Sequence, residues 1–294
     1  MSKDFRTQLR RLLIRAVLFV SGRGWRSRVD LMNEIRRSRG GSLGVVHKRG
    51  DDWLVDGGDH LMWCSSSDGL IAVGLAKHGA WQREDLNHAF DKLAELGLLR
   101  HGWFIDVGAN IGTHVVYAAL RAEIEKVLAI EPEPLNFSFI ERNVRINDLE
   151  DAVTALQVAA SAAPDVLHLE VNGALQGRHI VRPAANSKTI EVPALPLDQI
   201  IAEHRIAPTD IALVWIDVES HEHSVFRGMP DVLDAKVPVF FEYSCKSVSD
   251  EVRAAWCRDV EARYDHAFVV RPDGVQEVSF EEAFSQELAD LLIC

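Results

Sequence analysis

The sequence predicts an α/β fold: a mostly parallel sheet with an antiparallel edge strand, covered by helices and preceded by an N-terminal extension of helices and short strands. Three observations predict it. Apolar runs of strand length alternate with segments of helical periodicity from Trp103 to Arg271, the pattern of right-handed β-α-β crossovers. The first run, Trp103-Phe-Ile-Asp-Val107, enters the turn Gly108-Ala-Asn-Ile-Gly112, and the second, Val127-Leu-Ala-Ile-Glu131, ends in an acid. The last two runs face each other across Pro272-Asp-Gly274, which makes a closing antiparallel pair.

The elements follow in order. Residues 1–44 read as one or two basic helices ended by Gly40-Gly41 and Gly44. Val45–His47, Trp53–Val55 and His60–Trp63 read as a strand meander, separated by Arg49-Gly-Asp-Asp52 and Asp56-Gly-Gly-Asp59. Gly79-Ala-Trp81 opens a helical stretch through Leu99, with Leu86, Phe90, Leu93 and Leu96 at helical spacing, expected to lie against the first strand of the sheet. Next come strand Phe104–Val107, helix Thr113–Ala122, strand Val127–Glu131, helix Leu135–Ile146 and strand Val153–Val158, ending at Ala159-Ala160-Ser161. Leu167–Val171 and His179–Val181 read as an inserted antiparallel pair across Asn172-Gly173. Helix Leu197–His204, strand Ile211–Val218, a helix opening at Glu222–Arg227, strand Pro238–Tyr243, helix Val252–Arg263 and the pair Ala267–Arg271 and Gln276–Phe280 complete the chain. The expected division is an extension over 1–80 and a ligand-binding domain over 81–294.

Composition narrows the function. The 294 residues are 47% hydrophobic, enough for a sizeable core. Residues 1–50 carry 13 Lys and Arg against 3 Asp and Glu, whereas the remainder carries 19 against 41. An acidic body argues against nucleic-acid binding, which is driven by phosphate neutralisation. The basic arm either docks on an anionic lipid surface or packs on the acidic body. The apolar run Leu12–Val20 is interrupted by Arg15 and falls short of the about 20 residues a membrane span needs; no small-residue cleavage site follows at Ser21-Gly-Arg-Gly-Trp25, so it is not read as a signal peptide. An amphipathic surface helix is the other reading of that run. Cys64, Cys245, Cys257 and Cys294 form no C-x-x-C pair, which fits free thiols in a reducing, cytoplasmic setting.

The turn chemistry selects the ligand. In an open parallel sheet, ligands bind outside the carboxyl ends of the strands, so Asp106 and Glu131 are expected at one crevice. A dinucleotide fingerprint needs G-x-G-x-x-G so that backbone can close on a pyrophosphate. Here Asn110 stands where the middle glycine would be, and Asp106 would repel a phosphate. A ligand carrying an ammonium and a sulfonium suits that acid, and Glu131 suits the two hydroxyls of a ribose. S-adenosylmethionine meets both descriptions.

These residues also resemble a known family. Asp106-Val-Gly-Ala-Asn-Ile-Gly112 and Glu131-Pro-Glu-Pro-Leu-Asn-Phe137 resemble the first two motifs of the FkbM family of S-adenosylmethionine-dependent methyltransferases. Leu195-Pro-Leu-Asp-Gln-Ile-Ile201 is similar to its short pre-strand element, and Trp215-Ile-Asp-Val-Glu-Ser-His-Glu222 with Val225-Phe-Arg-Gly228 to its third block, I-D-V-E-G-x-E. Phe240-Phe-Glu-Tyr243 stands at the family's next strand ending in an acid. The match runs over roughly residues 80–245. It implies a Rossmann-like class I methyltransferase sheet and O-methyl transfer, in many members to hydroxyls of sugars, glycolipids or secondary metabolites. Two residues depart from the pattern: Ser220 replaces the usual glycine and Trp215 a common lysine. The expected cofactor contacts are Trp81, Asp106, Gly108, Asn110, Gly112, Thr113, Glu131, Pro132, Ala159 and Asp217.

Methyl transfer to an alcohol demands positioning and removal of a poorly acidic proton. Candidates cluster at Asp217, Glu219, His221, Glu222 and His223. Trp215, Asp217 and Glu219 share one side of an extended strand. Asp217 is assigned to orienting cofactor and acceptor, with Glu219 or His221 taking the proton; Glu219 or Glu222 can equally charge a helix N-terminus. A divalent metal on Asp217, Glu219, a histidine and Glu242 is a rival use of the same acids, but nothing in the spacing requires it and no metal is assigned. Two other functions compete: an NAD(P)-binding oxidoreductase, and a non-catalytic membrane-docked scaffold that keeps the fold.

Overall fold

A computed structural model describes residues 44–171 and 179–294. The helices expected in 1–44 and the turn at Asn172-Gly173 fall outside those residues. Strands β1 (Gly44–Arg49), β2 (Asp52–Asp56) and β3 (Leu61–Ser65) form the antiparallel meander the turn clusters predict. Two helices follow where one was expected: α1 (Ile71–His78) and α2 (Arg83–Glu95). Asp68 starts α1 by accepting the N–H groups of Leu70 and Ile71 at 2.8 and 3.0 Å, and Gly79, at φ 73, ends it with its N–H on the Leu75 carbonyl. Gly79 is thus a stop rather than a start.

The remaining elements are β4 (Gly102–Val107), α3 (Thr113–Ala119), β5 (Ile124–Ile130), α4 (Pro134–Ile146), β6 (Val153–Leu156), β7 (Ala159–Ala160), β8 (Asp165–Glu170), β9 (Ile180–Arg182), β10 (Thr189–Leu195), α5 (Leu197–Glu203), β11 (Ile211–Ile216), α6 (Glu222–Arg227), α7 (Pro230–Asp234), β12 (Val239–Tyr243), α8 (Asp250–Glu261), β13 (Ala267–Arg271), β14 (Gly274–Val278), α9 (Phe280–Ala283) and β15 (Ala289–Ile293). Helix α2 packs against α3, β13 and β14, while its Phe90 reaches Phe104 of β4 at a ring separation of 6.4 Å.

The main sheet has the order β14-β13-β15-β12-β11-β4-β5-β6. Strands β6, β5, β4, β11 and β12 are mutually parallel. Strand β15 enters antiparallel between β12 and β13, and β14 is the antiparallel edge. The expected Rossmann-like, mostly parallel sheet is present; the reversal at β15, in the last residues of the chain, was not read. Side chains alternate between two cores. Phe104, Leu213 and Trp215 face one, Ile105, Val107, Val214 and Ile216 the other, and β11 is buried along its whole length, as a doubly covered strand must be.

Two corrections concern the middle of the chain. The third parallel strand stops at Leu156 rather than Val158, and Ala159–Ala160 starts a second sheet of order β7-β10-β8-β9. The expected pair β8–β9 belongs to that sheet, but its inner strand β10 was missed because Pro193 interrupts the strand's apolar alternation. The meander is bound to the main body by Asn143 of α4 and Asn147, the residue that caps its C-terminus. Asn147 accepts the Leu61 N–H at 2.8 Å and donates to the Leu61 carbonyl at 2.7 Å; Asn143 does the same for Trp63 at 2.6 and 3.0 Å. Leu54, Met62 and Trp63 share one core with Phe104 and Trp215, so residues 44–80 are packed into the sheet's own core. All four cysteines are free thiols. Among the described residues no helix is long and apolar enough to cross a membrane.

Candidate active site

The turn after β4 holds three residues in the left-handed region: Gly108 at φ 86, Asn110 at φ 53 and Gly112 at φ 84. At Gly108 a side chain is excluded twice over, because a Cβ would also stand 1.9 Å from the Asp217 carbonyl oxygen. Asn110 is among the few residue types that tolerate this region, and its N–H donates to Glu131 Oε2 at 2.8 Å. The other oxygen of Glu131 accepts the Glu133 N–H at 2.8 Å. The second strand's terminal acid thus stitches the glycine turn to the following helix. Burial pushes its pKa up to about 8 against the pull of those two N–H donors, with Glu133 and Asp106 adding repulsion.

Asp106 lies deeper than expected. It is wholly buried, both oxygens lack a hydrogen-bond partner among the described residues, and burial raises it to about 8. It lines neither of the cavities beside the turn.

Those cavities, each of about 650 Å³, meet at Gly108, Asn110, Asp217 and Glu219. The first runs over Glu131, Pro132 and Ala159 under an apolar roof of Leu169, Val181 and Val192 from the small sheet, with Val218 and His221 on its far side. The second is bounded by Trp81, Gln82, Thr113 and His114, with Asp68 and Glu242. Eight of the expected cofactor residues therefore line one cavity or both. Asp106 and Gly112 do not; a Cβ at Gly112 would press on Ile140 at 3.3 Å, so that glycine serves helix packing.

Two of the three expected catalytic residues, Asp217 and Glu219, lie at the junction, and of the two cavities His221 lines the first only. Carboxylate oxygens of Asp217, Glu219 and Glu242 lie within 4.8 Å of one another. Burial, followed by the charges of Glu242, Glu219 and Glu222, raises Asp217 well above the usual carboxylate range. The turn that presents Glu219 is strained: Glu219 and Ser220 take φ 48 and 72, so Ser220 occupies the left-handed position that glycine usually fills. Glu222, at the start of α6, accepts the Ser220 N–H at 3.1 Å, and burial raises it to about 7. It supports the turn. His221 faces the first cavity with Nε2 3.1 Å from Ser161 Oγ, and burial lowers its pKa, leaving a neutral imidazole at neutral pH. His223 stands instead beside Trp256, 5.2 Å between rings. Trp215 is core, stacked on Phe240 at 3.8 Å with the tilted His114 ring at 4.1 Å.

Sequence reasoning missed the roof, whose Leu169, Val181 and Val192 come from three short strands, and the wall residues Asp68, Gln82 and His114. Alternation of Leu167 and Leu169 was the available signal for the roof; Asp68 had none, because α1 was not foreseen, whereas Gln82 and His114 adjoin the expected contacts Trp81 and Thr113.

A doubly covered, mostly parallel sheet with its cavities at the carboxyl ends of β4, β5 and β11 is the architecture of Rossmann-like class I methyltransferases. The chain belongs to the FkbM methyltransferase family: residues 106–264 match the model of the methyltransferase FkbM domain. It is 30% identical over 136 residues to methyltransferase sdnD of Sordaria araneosa, covering 46% of this chain and 49% of that one. It is 27% identical over 131 residues to hexuronic acid methyltransferase AglP of Haloferax volcanii, covering 44% and 51%. The chain thus spans about half the length of these curated relatives. A crystal structure of methyltransferase FkbM from Methylobacillus flagellatus superposes with a TM-score of 0.45 at 18% identity, over 67% of this chain and 45% of that one.

Proposed function

We propose that this protein transfers a methyl group from S-adenosylmethionine to a hydroxyl of a sugar, glycolipid or secondary metabolite. The observation that carries the reading is Glu131: a carboxylate at the end of the second parallel strand, bound to the backbone of a glycine turn and lining a cavity with an apolar roof. Each of its oxygens holds one backbone N–H and keeps lone-pair capacity for a ribose hydroxyl. Pro132, Ala159, Leu169 and Val192 offer the apolar surface a purine needs. The buried, unpartnered Asp106 supplies latent negative charge beneath the turn, which a cationic ligand stabilises and a pyrophosphate does not.

When bound, S-adenosylmethionine supplies an electrophilic methyl on a sulfonium sulfur. The chain's part is to hold Glu131 against the ribose, and Trp81, Thr113 and Asp217 around the remainder. Asp217 orients the acceptor hydroxyl. Glu219 or the neutral imidazole of His221 takes the proton, with Ser161 fixing the ring. Three crowded carboxylates disfavour an anionic group at the junction and favour a neutral hydroxyl there. The basic arm of residues 1–50 is the segment available for peripheral membrane contact, and a cytoplasmic setting suits the free thiols.

The test is methyl transfer from radiolabelled donor across a panel of sugars, uronic acids and glycolipids, with and without exhaustive chelation. Labelling of a hydroxyl that survives chelation and falls about 10²–10⁴-fold in His221→Ala or Glu219→Gln is expected. Failure to label any member of the panel, or label on nitrogen or carbon, contradicts the reading.

A further inference from the structure

The family model begins at residue 106, yet one wall of the second cavity comes from upstream: Asp68, Leu70, Ile71, Trp81 and Gln82. This wall is not a loose loop. The Trp81 ring lies so close against α1 that a Cβ at Gly74 would stand 2.5 Å from it. The Trp81 N–H donates to Tyr117 Oη, on α3 of the family domain, at 3.1 Å. Gln82 is held at φ 49, and the next residue, Arg83, makes a two-pronged bond to Asp59 at 2.8 and 2.5 Å. Asp59 in turn bonds His60 Nδ1 at 2.7 Å, and the fully buried His60 ring meets the Tyr117 ring edge-on at 5.0 Å. Arg83 lies over the other side of this assembly, 5.1 Å from the Tyr117 ring centre. A Cβ at Gly57 would strike His60 at 2.1 Å and the Gly79 carbonyl at 2.4 Å, so the meander turn is fitted to the same spot.

We propose that Asp59, Arg83 and Tyr117 form a latch that positions Trp81 and Gln82 as the wall facing Asp217, Glu219 and Glu242, and that this wall holds the amino-acid end of the methyl donor. The inference rests on the donor reading above. The chemistry of the cavity suits that end: the carboxylates of Asp68, Asp217, Glu219 and Glu242 and the Trp81 side chain line it, a setting that attracts the ammonium and sulfonium groups, while Gln82 and Thr113 are the uncharged polar lining residues left for its α-carboxylate. The nucleoside end fits the other cavity, with its apolar roof and Glu131. Residues 44–83 therefore complete the binding site rather than decorate it, and Tyr117, which touches no ligand, is a positioning residue.

Calorimetric titration of the full chain with S-adenosylmethionine and with 5′-methylthioadenosine, which lacks the amino-acid end, tests this. Tyr117→Phe removes the acceptor of the Trp81 N–H with little change in volume, and Arg83→Lys removes the two-pronged bond. In both variants S-adenosylmethionine is expected to bind about tenfold more weakly, while 5′-methylthioadenosine keeps its affinity. A general loss of structure would weaken both compounds together, and that outcome, or unchanged S-adenosylmethionine affinity in both variants, overturns the proposal. Wild-type protein that takes up neither compound defeats the donor reading itself, and the latch proposal falls with it.

Discussion

Glu131 holds the glycine turn and lines the first cavity, and its burial bears on the pH behaviour of the protein. Burial raises Glu131 and Asp106 to about 8 from ordinary values of 4.5 and 3.8. The folded protein therefore holds these protons more tightly than the unfolded chain, so their contribution favours folding at low pH and is lost as pH rises from the ordinary carboxylate range toward about 8. Donor-free protein is expected to melt lower at pH 8 than at pH 5.5, and the stabilisation by saturating S-adenosylmethionine to grow over that interval, because a cationic ligand favours the ionised acids. Thermal melts across the interval check this; a donor-free melting temperature that rises with pH contradicts it. These acids were legible in the sequence because a charged residue at the end of an apolar strand run has few structural reasons to be there. Depth was not legible. Whether Asp106 reaches the cavity or stays under the turn depends on the packing of α3 above it, which periodicity does not encode. Ser220 stands where the resembled pattern has glycine, and the structure holds it in the left-handed region that glycine favours.

At the scale of elements, the attachment of the meander to α4 is the least conventional contact. Asn143 and Asn147, one helical turn apart, present amide groups to alternate residues of β3 and satisfy both backbone groups of Leu61 and Trp63, as a neighbouring strand would. Asn147→Ala leaves the Leu61 N–H and carbonyl unpaired in a partly buried edge. It is expected to destabilise the protein by about 1–3 kcal/mol, read from the midpoint of urea unfolding with an unchanged slope; an unmoved midpoint contradicts the clamp. The central strands were readable to within a few residues because burial on both faces forces continuous apolar runs. Elements at the margins were not. Helix α1 has only Ile71, Ala72 and Leu75 as buried residues, β10 carries Pro193, and β15 is a five-residue run whose place between β12 and β13 is set by tertiary pairing.

At the scale of the molecule, the family domain covers residues 106–264, but the cavities draw on more. The wall at Trp81 and Gln82 precedes the domain, and β15, which follows it, completes the sheet beside β12 and its Glu242. The order of motifs announced the sheet and the acids Asp106 and Glu131; that Asp68, Trp81 and Gln82 line the second cavity emerged only from how the meander, α1 and α3 pack together. The central claim, that Glu131 grips the ribose of a sulfonium methyl donor, is tested most directly by calorimetric titration of S-adenosylmethionine into the wild-type protein and into Glu131→Gln. Saturable binding by the wild type, and affinity about tenfold or more weaker in a variant that remains folded, is the predicted result. Equal affinity in the two proteins, or no binding by either, contradicts it.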